Sequence, residues 1–213
     1  MKFTLYFTGR LPSASASARL REKHDIRKHL HPQLLQLFRT HPALPKFIRH
    51  PDDTRTALGP TDWADWPRWE WPNFGDAWFE EQAVHPVGDI KCVPLVRSNM
   101  SLIAELDVLF LRHGEPGAIF QSGDLDNRIL TLSDGLRLPK GQNEEAFMTN
   151  DTGISRTSPF FCLLEDDSLI TRWNVRTDRL LEEERDRANV QLIIEVTVKA
   201  TRLTWGNIAM ASG

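Results

Sequence analysis

Apolar and polar residues alternate along residues 3–8, 101–112 and 191–203, and each stretch predicts a half-buried strand. In the second, Leu102, Leu106, Val108 and Phe110 share one face; in the third, Leu192, Ile194, Val196 and Val198 do. Residues 90–97 and 169–175 predict further strands, and 160–164 is a short apolar run. The period changes over residues 18–39, where Leu20, Ile26, Leu30, Leu34, Leu35 and Leu37 form a broken helical stripe. Arg19, Arg21, Lys23, Arg27 and Lys28 crowd the other side of that predicted helix, and Pro32 is expected to split it in two. A second helix is predicted over 126–136 from Ile129, Leu132 and Leu136. Residues 9–17, 42–62 and 140–158 read as loops, and 176–188 as a charged loop or short helix. Strands at the start, middle and end with helices between them predict an α+β fold, a small mixed sheet packed with helices. A single domain over 1–213 is expected, with its core about 1–40 and 90–205 and an insertion about 41–89.

Composition narrows the class without naming a function. With 213 residues, 40% of them hydrophobic, the chain can bury a core unaided, which excludes collagen-like and wholly disordered classes. No apolar run approaches the ~20 residues of a membrane span, and the N-terminus reads as a strand with no signal-peptide pattern. Cys92 and Cys162 stand 70 positions apart and suggest neither a zinc site nor a disulfide framework. A soluble, cytoplasmic protein with no membrane partner is the expectation.

The formal net charge of −3 conceals an asymmetry. Residues 1–60 carry a balance of +7 and five of the seven histidines, residues 61–90 a balance of −6, and the remainder −4. A basic N-terminal region fits contact with a polyanion, and a solvated helix face explains it equally well. Five of seven tryptophans (63, 66, 69, 71 and 78) fall within the acidic stretch. The acids there would repel a phosphate backbone, so a packed flap or a dimer contact is expected over a base-stacking platform. The histidines at 24, 29 and 31 lack a supporting ligand set for zinc, and surface or DNA-facing roles are expected.

Carboxylates supply the candidate chemistry. Gly123-Asp124-Leu125-Asp126-Asn127 is followed about forty positions later by Glu165-Asp166-Asp167. If the first segment is extended where it enters the helix, Asp124 and Asp126 project to the same side. Asp126 can also cap that helix. Asp166 and Asp167 directly precede a predicted strand, and if it lies beside the helix start, three or four carboxylates converge. Close like charges resist joint ionisation, and a bound Mg²⁺ would resolve the conflict. Plain capping and a plain turn are the alternatives on the residues alone.

The two motifs in this order, with a helix reaching Asp134-Gly135-Leu136 between them, resemble the RusA family of Holliday junction resolvases. The opening strand with Gly9-Arg10-Leu11-Pro12-Ser13-Ala14-Ser15 and the final strand at 191–203 resemble the same family. The likeness covers roughly residues 1–20 and 101–203, with the Trp-rich stretch and residues 139–158 as insertions. It implies a homodimeric, Mg²⁺-dependent endonuclease that cuts branched, four-way-junction DNA in recombination and repair. Asp124, Asp126 and Asp167 match the family's metal-binding, catalytic carboxylates, with Asp166 as a helper. Arg19, Arg21, Lys23, Arg27 and Lys28 are the expected phosphate contacts.

One position departs from the pattern. The family's lysine, four residues after the second Asp, is Leu130 here. A lysine there would sit one helical turn from Asp126 and could stabilise charge on a scissile phosphate; leucine cannot. Arg128 points elsewhere on the helix, which leaves Arg137 or Lys140 as candidates to reach in from the following loop. Three expectations follow: an active structure-specific endodeoxyribonuclease, a nucleic-acid-binding protein that kept the carboxylates and lost competent catalysis, or an unrelated role on the same fold.

Overall fold

The computed structural model describes residues 1–11, 19–41, 44, 83–113, 124–181, 188–203, 207 and 210. Of the insertion expected at about 41–89, residues 42, 43 and 45–82, with all five clustered tryptophans, lie outside these residues, as do Gly123 and residues 12–17 of the loop expected at 9–17, whose first two residues instead end a strand. Among them run β1 (Lys2–Arg10), α1 (Leu20–Thr40), β2 (His85–Val87), β3 (Ile90–Val96) and β4 (Leu102–Arg112). Then come α2 (Asp124–Leu136), α3 (Gln142–Thr149), β5 (Phe160–Leu164), a 3-10 turn (Asp167–Leu169), β6 (Ile170–Arg179) and β7 (Asn189–Ala200). The fold is α+β, with two mixed sheets instead of the single sheet expected.

The larger sheet has the order β1-β7-β4-β6, antiparallel except for the parallel β4/β6 pair. Its strands alternate as their sequences predict. Leu102, Ala104, Leu106, Val108 and Phe110 of β4 are buried beside Val190, Leu192, Ile194, Val196 and Val198 of β7. In the smaller sheet, β2-β3-β5, the strand β5 is buried on both faces and so reads as an unbroken apolar run. Phe161 and Leu163 feed the main core, while Phe160 and Cys162 join a second cluster with Cys92, Ile90, Leu138 and Met148.

Helix α1 crosses β1, β5, α2 and α3 and is the hub of the packing. Pro32 does not split it; the helix is continuous through that residue. The N–H that proline lacks would have bonded the Lys28 carbonyl, and both residues are exposed, so water can serve the freed oxygen. Gln33 closes the edge of β1: its Oε1 accepts from the Tyr6 N–H at 2.9 Å and its Nε2 donates to the Tyr6 carbonyl at 2.6 Å. Gly135 allows α2 to approach, since a Cβ there would meet the Ile26 side chain at 2.8 Å. Residues 140–158, expected as loop, contain α3; Glu144 and Glu145 in its first turn favour the helix N-terminus electrostatically.

The three histidines of α1 do not form the expected outward-facing set. His24 is buried and its Nε2 meets Asp151 at 2.8 Å. His29 packs edge-on against Phe7. His31 stacks on Phe160 with ring centroids 4.5 Å apart, and its Nδ1 accepts from the Phe161 N–H at 2.9 Å. Burial pushes the His31 imidazole down to about 4, and its Nδ1 can hold that hydrogen bond only while unprotonated. Below its ordinary value near 6.5, the unfolded chain takes up a proton that the folded chain refuses. Stability therefore falls as pH drops from about 6.5 to about 4, by about 1–3 kcal/mol in all. Urea unfolding across that range should show the slope in the wild type, and His31→Gln should flatten it.

Candidate functional site

The acidic motifs sit in local structures that differ from the sequence expectation. Asp124 and Asp126 both lie in the first turn of α2 and not in an extended segment. Positions two apart on a helix are separated by roughly 200° around its axis, so they do not share a side. The Asp124 side chain is outside the description. Asp126 is exposed and sits inside the helix instead of capping it. Asp166 caps the 3-10 turn, accepting from the Ser168 N–H at 3.0 Å, and Asp167 opens that turn, partly exposed. Helix α2 packs against this turn, so the two motifs belong to touching elements.

The site has a cation, and it is Lys140. Its Nζ lies 2.9 Å from Asp166 Oδ2, with the lysine side chain 67% exposed. Chain geometry brings it there: Arg137 pairs with Leu164 in a parallel bridge, so residues 138–140 run beside the start of the acidic motif. Hydrogen bonds from Ser168 and then from Lys140 hold the Asp166 carboxyl well below the usual carboxylate range, so it stays ionised at neutral pH. Leu130 is 59% exposed and Arg128 is buried. Glu165 turns away from this cluster, its Oε2 accepting from the Ser98 N–H at 2.7 Å and the Ser98 hydroxyl at 2.8 Å.

Three of the five expected phosphate contacts are corrected. Arg19, Lys23 and Arg27 are buried on the inner side of α1. Arg19 donates from Nη1 to the Asn127 carbonyl at 2.6 Å and from Nη2 to Asn127 Oδ1 at 3.1 Å, fastening the first acidic motif to α1. Lys23 Nζ meets Asp134 at 2.6 Å and Glu144 at 2.9 Å; Arg27 Nη2 meets Glu144 at 2.7 Å. Arg137 completes the group, 2.7 Å from Asp134 and 3.3 Å from Glu144, and is thereby turned away from the acidic turn. Burial would raise the Glu144 carboxyl, but Lys23, Arg27 and Arg137 overcome it and hold the group at about 2. Desolvated cations need such partners, so these residues spend their charge on joining α1, α2 and α3. Of the expected set only Arg21 and Lys28 reach solvent, and Lys28 contacts Asp151 at 2.8 Å.

Among the described residues, no group of three or more His, Cys, Asp or Glu side chains is close enough to hold a metal ion. The donor chemistry nevertheless suits Mg²⁺, which takes one or two carboxylates and completes its shell with water and phosphate oxygens. Asp126, exposed, and Asp167, partly exposed, are oxygen donors on packed elements and answer that description. Among the described residues, no helix is long and apolar enough to cross a membrane. No protein-family model, curated protein or solved structure matches this chain.

Proposed function

We propose that the chain is a RusA-like, Mg²⁺-dependent endonuclease that hydrolyses phosphodiesters of branched DNA such as four-way junctions, acting as a homodimer. The observation that carries this reading is the packing of α2, with Asp126 in its first turn, against the turn that Asp167 opens. The elements that carry the two motifs touch, and the motifs follow one another in the order the resemblance requires. Asp126 and Asp167 would hold the metal. The chemistry a bound Mg²⁺ supplies is an activated water and stabilisation of the leaving oxygen. Asp166 holds Lys140 beside the acidic turn, and Lys140 is placed to meet phosphate charge there. Arg21 and Lys28 remain as outer phosphate contacts.

Lys140 answers the absence of lysine at position 130 by coming from the loop after α2. Lys140→Gln is therefore expected to slow junction cleavage about 10- to 100-fold while changing junction affinity little. Single-turnover rates beside equilibrium binding separate the two effects. An equal loss in both would assign Lys140 to binding alone.

Leu130 favours a second reading, a junction-binding protein that does not cut. Incubation with a synthetic four-way DNA junction, with and without Mg²⁺, decides between them. Paired nicks that require Mg²⁺ support the endonuclease. Salt-sensitive binding without nicks supports the second reading, and neither binding nor cutting contradicts both.

A further inference from the structure

Two strands of the smaller sheet lead straight into strands of the larger one. β3 passes through residues 97–101 into β4, and β5 passes through residues 165–169 into β6. β3/β5 and β4/β6 are both parallel pairs, so the two crossings run side by side. The first crossing is fixed from several directions. The Ser101 carbonyl accepts from the Thr201 N–H at 2.8 Å and from the Thr201 hydroxyl at 3.1 Å. Buried Asn207 donates to the Met100 carbonyl at 2.7 Å, and the Ser101 N–H donates to the Ser98 carbonyl at 2.9 Å. Among the described residues Ser101 is the one non-glycine with a positive φ, at 52°. Such a conformation persists only where its surroundings over-determine it, and it recurs at functional sites.

The second crossing carries Asp166 and Asp167. Backbone pairing ends at Glu165, whose N–H donates to the Val96 carbonyl at 2.9 Å, and resumes at Ile170 opposite Ala104. Between them, the cap that Asp166 makes on the Ser168 N–H sets the shape of the turn but not its place. The side chain that ties the turn to the fixed crossing is Glu165. Its Oε2 accepts from both the Ser98 N–H at 2.7 Å and the Ser98 hydroxyl at 2.8 Å.

We propose that Glu165 is a positioning residue: through Ser98 it sets the turn, and with it the Asp167 carboxylate, against α2. The inference rests on the reading of Asp167 as a metal ligand. Glu165 itself turns away from the cluster and acts only on where Asp167 stands. Removing the hydrogen bonds that orient a metal ligand costs about 10- to 100-fold in metal affinity or activity. These two bonds are solvent-exposed, so their loss should lower Tm by about 5 °C or less. Glutamine offers a carbonyl oxygen at the same reach with two lone pairs, so Glu165→Gln can keep both bonds, whereas Glu165→Ala loses both.

The test uses the full chain. Hydrogen–deuterium exchange over residues 166–170 needs neither metal nor DNA, and should run about tenfold faster in Glu165→Ala than in the wild type. Mn²⁺, a paramagnetic cation that carboxylates also bind, should be held about tenfold more weakly by Glu165→Ala in electron paramagnetic resonance titrations. Half-maximal junction cleavage should need about tenfold more Mg²⁺ in the same variant. Glu165→Gln should stay within about twofold of wild type in all three. Equal exchange in wild type and Glu165→Ala would overturn the proposal whatever happens to DNA. So would a Glu165→Gln as defective as Glu165→Ala, which would assign the effect to charge. A wild type that binds Mn²⁺ but leaves junctions intact would remove the nuclease reading and leave the proposal standing. A wild type that binds no Mn²⁺ would remove the metal site and the proposal with it.

Discussion

Glu144→Ala is expected to destabilise the protein by about 3–5 kcal/mol, because it strands Lys23, Arg27 and Arg137 without their shared carboxylate. For a chain of this size that is a fall in Tm of about 10 °C. Glu145→Ala, one residue along and exposed, should change stability by less than about 0.5 kcal/mol. The network also has a pH signature. The folded Glu144 carboxyl sits at about 2, below its ordinary value, so its contribution is present above about pH 4.5 and is lost as pH falls towards 2. Asp151, held low by Lys28 first and His24 second, works in the same direction. Thermal unfolding of wild type and Glu144→Ala from pH 7 to pH 3 should therefore converge at the acid end. Equal Tm values at pH 7 would show that Asp134, which also meets Lys23 and Arg137, is enough to hold the cations.

The second large effect belongs to the chemistry. Asp126→Asn preserves the shape of the side chain and removes its charge, which a hard cation needs. Junction cleavage should fall by about three orders of magnitude or more, while Tm changes little because Asp126 is exposed. Asp167→Asn should behave alike. Raised Mg²⁺ should recover part of the rate in either variant if the loss is one of metal affinity. A rate within about threefold of wild type for both variants would remove these residues from the chemistry.

Much of the scaffold was legible because its signal is local. The period-two patterns of β1, β4 and β7 reflect sheets with one buried face, and they hold through the whole of each strand. The second sheet was harder to read. β3 and β5 are buried on both sides, so their apolar runs carry no alternation to assign a face or a partner. Helix α3 was missed because eight residues with only Glu144 and Met148 buried leave almost no periodic trace.

The basic residues of α1 were misassigned for a physical reason. Buried Leu30, Leu34 and Phe38 recur every four residues, and carrying that spacing backwards leads to Ile26 and Arg27, Lys23 and Arg19. The stripe was continuous, but its first half is charged, and charge was taken as a mark of solvent. What resolves it is the matching acids Asp134 and Glu144, more than a hundred positions away on other helices. Sequence distance hid them. The same distance hid Lys140, which is placed beside Asp166 by a bridge between Arg137 and Leu164 that no local pattern encodes. Helix α2 was read correctly, yet its start two residues earlier than expected moved Asp124 and Asp126 off a common side.

The most direct test of the account is single-turnover cleavage of a labelled four-way junction by wild type and Asp126→Asn, both at saturating protein. The account predicts symmetric paired nicks by the wild type in Mg²⁺, none with chelator, and none by Asp126→Asn despite equal junction binding. Cleavage that persists in chelator, or proceeds equally in the variant, would contradict it.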